Sequence, residues 1–180
     1  PATGGTYSIS QTTEGTFQVS GGSLTEDGEN LNSLTDAFNK ILSFGTDTNI
    51  NINFDNVNIS REAPTLTESC ELTLKGTYTS AAEAFIIGSN DTFIIHNEAN
   101  IKTVKTGSYV IGRSSAKNSK NSTVIFEQNG GTVKSVDGFY MYENDVISLN
   151  GGTINGNARG NGGTGSIKIK DGTWNGQLAH

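Results

Sequence analysis

Three stretches of this chain repeat one phrase, and that repetition limits the fold more than any other feature. Residues 123–133, 146–154 and 166–174 each run as an alternating apolar strand, a glycine-containing turn, then threonine and a large apolar residue. Their threonines, Thr132, Thr153 and Thr173, stand 21 and 20 residues apart. Looser copies precede them: residues 71–78 with Thr77, residues 93–101 through a turn without glycine, and a first strand at residues 52–54. Each strand offers only two or three inward side chains, too few to enclose a core. Stacked copies build one continuous core, so the period points to a solenoid.

The alternation predicts columns. Ile52, Leu72, Phe93, Val124, Ile147 and Ile167 align as one inward stack, with Phe54, Leu74, Ile95, Phe126, Leu149 and Ile169 as the next. Because strand side chains alternate faces, Asn53, Thr73, Ser148 and Lys168 then point to solvent. Ile94 and Ile125 break the pattern. A second strand type recurs at residues 84–89 and 108–114, 24 residues apart, with residues 138–142 where a third belongs. The polar run 114–122 stretches one coil into an outward loop of the kind that often carries binding. The fold expected is all-β, a right-handed parallel β-helix of about five to six coils.

Residues 1–48 read differently. Short strands fall at residues 7–9 and 16–19, and Leu31, Leu34, Ala37, Phe38, Ile41 and Leu42 recur at helical spacing. Asn32 or Ser33 suits the N-cap and Gly45 the stop of a helix over residues 31–44. An amphipathic helix just before the first coil suits a cap on the open end of an apolar stack. The expected organisation is a cap over residues 1–48 and one continuous solenoid over 49–180.

At residues 129–133, 150–154 and 171–174 the chain resembles the right-handed parallel β-helix surface proteins of bacteria, the autotransporter passenger domains and related adhesins. Residues 126–129 followed by Gly130 and Gly131 are also similar to the Phe-x-x-Asn and Gly-Gly-Ala pairing of polymorphic outer-membrane proteins, with Thr132 in place of alanine. The resemblance covers roughly residues 50–178. It implies a stalk or ligand-binding surface, extracellular or on the bacterial cell surface, and it carries over no catalytic residues.

Charge and chemistry narrow the function. A net charge of −6 and a pI near 4.8 repel phosphates and argue against nucleic acid. Cys70 is the sole cysteine, so no internal disulfide forms. No apolar run approaches the ~20 residues that cross a bilayer, so no membrane insertion by this segment is expected. The start at Pro1 reads as a trimmed mature domain.

Glycan cleavage would need paired carboxylates, and neighbouring coils could gather Glu127, Asp137, Glu143 and Asp145, but no pair is marked. Arg61, Arg113 and Arg159 stand far apart in sequence. His96 lies beside Asn97 and Glu98 with no nucleophile, and His180 ends the chain. Residues 162–166 match half of a calcium-binding repeat, with Ser166 where aspartate belongs. No phosphate-loop pattern occurs, and no cofactor or metal is expected. An ice-binding threonine array would need regular Thr-x-Thr pairs. Only Thr77 and Thr79 supply one, and Lys134, Asn155 and Asn175 fill the second position elsewhere.

Among Tyr78, Tyr109, Phe139, Tyr140, Tyr142 and Trp174, the best exposed site is Tyr140 and Tyr142 with Glu143 and Asp145, beside Asp137. The reading is a non-enzymatic surface adhesin or stalk, one that could belong to a longer solenoid, with a host or environmental glycan or surface protein as partner. Its rival is a carbohydrate-active β-helix, a lyase, glycosidase or tailspike-like domain.

Overall fold

Period-two alternation gives every strand one apolar side, and the chain buries these sides by winding. In a computed structural model, which describes residues 5–12, 15–22, 24, 30–43, 49–115, 118–160 and 165–179, it forms a parallel β-solenoid of about 6 turns. Two strands enter first, β1 (Gly5–Gln11) and β2 (Phe17–Gly21), then one helix, α1 (Leu34–Leu42). The first coil holds β3 (Asn49–Ile59) and β4 (Thr65–Leu66), the second β5 (Cys70–Ser80) and β6 (Phe85–Ile87). From the third coil the long strand bends into two. That coil holds β7 (Thr92–Asn97), β8 (Asn100–Thr103) and β9 (Ile111–Arg113). The fourth holds β10 (Thr123–Gln128), β11 (Thr132–Ser135) and β12 (Phe139–Met141). The fifth holds β13 (Val146–Leu149), β14 (Thr153–Asn155) and β15 (Ala158–Gly160), and the sixth β16 (Ser166–Ile169), β17 (Thr173–Asn175) and β18 (Leu178–Ala179).

The first and second faces make one 12-stranded sheet, and the third face is split into β4-β6-β9 and β12-β15-β18. Register corrects the predicted columns at three steps. The inward stack is Ile50, Leu72, Ile95, Phe126, Ile147 and Ile167, and the next is Ile52, Leu74, Asn97, Gln128, Leu149 and Ile169. The pairs Phe93–Val124 and Ile147–Ile167 stand as expected. Elsewhere the alignment is off by two residues, which leaves every side chain on the same face. The second strand type slips likewise: Phe85 pairs with Ile111, not Tyr109. Thr73, expected in solvent, is 8% exposed and donates its hydroxyl to Asn49 Oδ1 at 2.9 Å. Ile94, Ile125 and Val146 form a half-buried aliphatic ladder on the outside of the first face.

The slip puts two amides inside the core, where they must be bonded. Asn97 donates to Gln128 Oε1 at 2.8 Å and to the Ala99 carbonyl at 3.1 Å, and its own Oδ1 accepts from Ala99 N at 3.2 Å. Gln128 passes the ladder on to the Gly130 carbonyl at 2.6 Å. These amides brace the corner between the first and second faces, which explains how the third coil turns without glycine. In the fourth and fifth coils Gly131 and Gly152 turn the corner with φ of +65° and +67°. A Cβ on Gly152 would lie 2.4 Å from the Gly131 carbonyl oxygen, so side chains are excluded by stacking as well as by φ. The threonine column follows, Thr132, Thr153 and Thr173, with Thr77 and Asn100 on the rungs above.

At the amino-terminal end β1 pairs with β2 antiparallel and with β3 in parallel. Ser33 caps α1, its Oγ accepting from Asp36 N at 3.0 Å, as the N-cap reading expects. The helix is shorter than the predicted residues 31–44, because Leu31 bridges Phe17 instead. Gly45 lies outside the described residues. Leu34, Ala37, Phe38 and Ile41 are buried against the stack, with Phe38 6.1 Å from the Phe54 ring and 5.8 Å from Phe85. His180 and residues 162–164 of the half calcium repeat also fall outside the described residues.

Candidate functional site

The break in the third face positions the site. The coil step from Asn97 to Gln128 is 31 residues, against 21 from Asn129 to Asn150, and β9 and β12 fall in separate sheets although Val110 N still donates to the Gly138 carbonyl at 2.8 Å. In β12, Phe139 and Met141 turn inward and Tyr140 turns out. Tyr109 comes from the long third coil, Tyr140 from the fourth, and Arg159 from the fifth, directly opposite Tyr140 in register.

Three half-buried tyrosines therefore meet. The Tyr140 ring centroid lies 5.4 Å from Tyr109 and 5.2 Å from Tyr142, both tilted. Each end of the strip rests on an arginine. The Arg113 guanidinium sits 4.8 Å from the Tyr142 centroid, and that of Arg159 5.7 Å from Tyr109. Arg159 also approaches Asp137 at 3.7 Å, an exposed pairing of little energetic weight. Asp137 in turn accepts a hydrogen bond from Gly107 N. Glu143 is exposed beside the strip. Burial raises the Tyr142 hydroxyl above its ordinary pKa, with Arg113 pulling against it.

Of the four residues expected here, Tyr140, Tyr142 and Glu143 reach the surface and Asp145 does not. Its side chain is 6% exposed and that of Arg113 is 1% exposed. One Arg113 nitrogen contacts both Asp145 oxygens at 2.6 and 2.7 Å, while Tyr142 N and Val124 N donate at 2.9 and 3.1 Å. Burial raises the Asp145 carboxyl, and Arg113 and the two backbone donors oppose that rise. Arg113 Nε donates to Ser122 Oγ and to the Ser119 carbonyl, each at 3.2 Å. The described part of the loop 114–122 thus folds back onto this pair through buried Ser119 and Ser122, leaving Lys120 and Asn121 exposed. Asp145 is a buried strut beneath the tyrosines, its carboxylate held by Arg113.

The remaining candidates disperse. Glu127 lies on the first face against His96, and Asp145 is buried against Arg113, so neither joins Asp137 and Glu143 at the strip. His96 Nε2 is 2.6 Å from Glu71 and its Nδ1 3.4 Å from Glu127, and the expected neighbour Asn97 is in the core. Among the described residues, no three His, Cys, Asp or Glu side chains are placed to share a metal. Burial pushes the Cys70 thiol up to about 12, which removes the thiolate. Tyr78 is also interior, stacked 4.7 Å from Phe54 and donating to the Ala84 carbonyl at 2.7 Å. Trp174 leans on the last coils, its Nε1 donating to Gly156 O at 2.8 Å and its ring 6.2 Å from Phe139. Sequence reading missed Arg113, Tyr109 and Arg159 as partners. The rung Tyr140–Arg159 was the available signal, because a correct coil alignment sets them side by side.

No family model, curated protein or solved structure matches this chain.

Proposed function

We propose that the protein is a non-enzymatic binding module of a secreted or cell-surface protein, adhesin-like, taking a glycan on the tyrosine strip of its third face. The carrying observation is the contiguous trio Tyr109, Tyr140 and Tyr142, drawn from two coils and supported from both ends by arginines. Aromatic faces stack on the apolar faces of sugar rings, and tyrosine adds little ordering cost because it has few rotamers. Arg159, Asp137 and Glu143 border the strip with donors and acceptors for hydroxyl groups. The same tyrosines would serve a surface protein as partner, since aromatic and arginine anchors also dominate protein interfaces. The engagement of Glu127 by His96 and of Asp145 by Arg113, away from the strip surface, favours binding over cleavage. The repeated coils are compatible with a place within a longer solenoid, as in the autotransporter passenger domains that the glycine-threonine turns resemble.

A glycan array run with the wild-type chain and Tyr140→Ala tests this. The expected result is selective glycan binding reduced about tenfold or more by loss of the central ring. Binding that survives Tyr140→Ala unchanged overturns the site. Polysaccharide turnover abolished by Glu143→Gln would replace the reading with the carbohydrate-active one. Asp145→Asn is not an equivalent test, because it disturbs the strut.

A further inference from the structure

The second face carries a feature that the tyrosine strip does not explain. Its outward column, two residues beyond the threonines, reads Thr79, Lys102, Lys134, Asn155 and Asn175 down successive coils. Lys102 and Lys134 are direct register partners, so two ammonium groups share neighbouring rungs about 4.8 Å apart. Among the described residues neither lysine has an acidic partner. This occurs in a chain of 18 acids and 12 bases, where partners are plentiful. Like charges opposite one another destabilise a sheet, and an exposed rung accepts threonine or asparagine equally well, as the rest of the column shows.

The lysines flank a groove of about 470 Å³ that Lys102, Lys134, Val104, Val136, Asn155 and Asn175 line. Val104 and Val136 are 45% and 53% exposed, two of the few large apolar side chains in solvent. Asn175 Nδ2 donates to Asn155 Oδ1 at 2.7 Å, which leaves the Asn155 amide donors for a ligand. The groove thus combines stacked positive charge, two aliphatic walls and amide donors, arranged along the solenoid axis.

We propose that this groove binds an acidic polysaccharide, laid across the coils so that carboxylate or sulfate groups meet Lys102 and Lys134. Its volume fits a few sugar units, within the range of small-ligand sites. The apolar area is confined to two valines, which is too little for the core of a protein interface. Because the overall charge is −6, attraction for an anion is confined to this lysine pair, which suits a chain with a few well-placed anionic groups better than the continuous phosphate ladder of a nucleic acid. The site is separate from the tyrosine strip and does not depend on that reading.

Affinity electrophoresis in gels containing heparin, polygalacturonate or neutral dextran, followed by calorimetry with the same polymers, tests the proposal. The wild-type chain should be retarded by at least one acidic polymer and not by dextran, with affinity falling as salt rises. The K102Q/K134Q double variant should lose affinity by about tenfold per lysine, and K102R/K134R should keep it. Tyr140→Ala should bind the acidic polymer as the wild type does, which separates this site from the third face. Thermal melting should place K102Q/K134Q no lower than the wild type, since the substitution removes a like-charge pair. Equal retardation by dextran, unchanged binding by K102Q/K134Q, or tighter binding of a DNA oligonucleotide than of any acidic polymer would overturn the assignment.

Discussion

The two ends of the stack face the same problem and meet it in opposite ways. At the amino-terminal end, β1 satisfies the edge of the first coil, placing Tyr7 against Ile52 and Ile9 against Phe54. Helix α1 then lays Phe38 over Phe54 and Phe85, and none of these rings retains more than 1% exposure. At the other end, β16, β17 and β18 each present an outer edge with no strand beyond it among the described residues. Ile169 is 54% exposed there and Leu178 43% exposed, while Trp174 is half-buried. A solenoid coil is therefore half a structure. It becomes a core only when something lies on both sides of it, and open edges invite pairing with further strands.

One column isolates that difference. Leu149 and Ile169 are register partners with the same inward role, yet Leu149 is fully buried because one more coil covers it. Leu149→Asp should cost on the order of 4–5 kcal/mol, since an unpaired carboxylate enters the stack. Ile169→Asp should cost less than about 1 kcal/mol, because the site already meets water. Urea unfolding of the two variants measures both, and comparable losses would mean that the last coil is covered in solution. The aromatic residues at each end extend the comparison. Phe38→Ala should lose about 3–4 kcal/mol by opening a cavity at the closed end. Trp174→Ala should lose only about 1–2 kcal/mol, from a half-buried ring and one hydrogen bond.

The same columns show how far the sequence was readable. Alternation revealed the parallel solenoid and which side of each strand faces in, because burial imposes period two directly. It could not fix register, because a slip of two residues keeps every apolar side chain inside and leaves no trace in the pattern. Asn97 and Gln128 drove the error at two of the three steps, and at the first Phe54 lies opposite Gly76 where an apolar partner was expected. The two amides look like outward polar residues, and only the amide ladder at the corner makes them tolerable in the core. The tyrosines of the candidate site were legible as bulky residues in a strand of visible alternation. Asp145 was not, because its partner Arg113 lies 32 residues away across the one long coil, where counting by repeats fails. Lys102 escaped notice for a related reason: without a correct register it had no visible relation to Lys134.

Cys70 offers the finest probe of the two ends. It lies at the start of β5, with Phe93 beside it in register, one coil from the closed end. Burial holds its thiol neutral up to about pH 12, whereas the unfolded chain ionises it at the ordinary thiol value. Below the ordinary value neither state is charged, and the contribution to stability is whole. As pH rises from there toward about 12 the unfolded state alone loses the proton, so stability falls with pH through that window. The drift from this group is at most about 1.4 kcal/mol per pH unit within that window, and Cys70→Ala should flatten it. Thiol alkylation reads the same contrast kinetically. Cys70 should react only through openings of the closed end, while an Ile169→Cys, Cys70→Ala chain should react at the rate of a free thiol. Comparable rates for the two would show that the coil next to the cap opens as readily as the uncovered last coil, and the asymmetry between the ends would be lost.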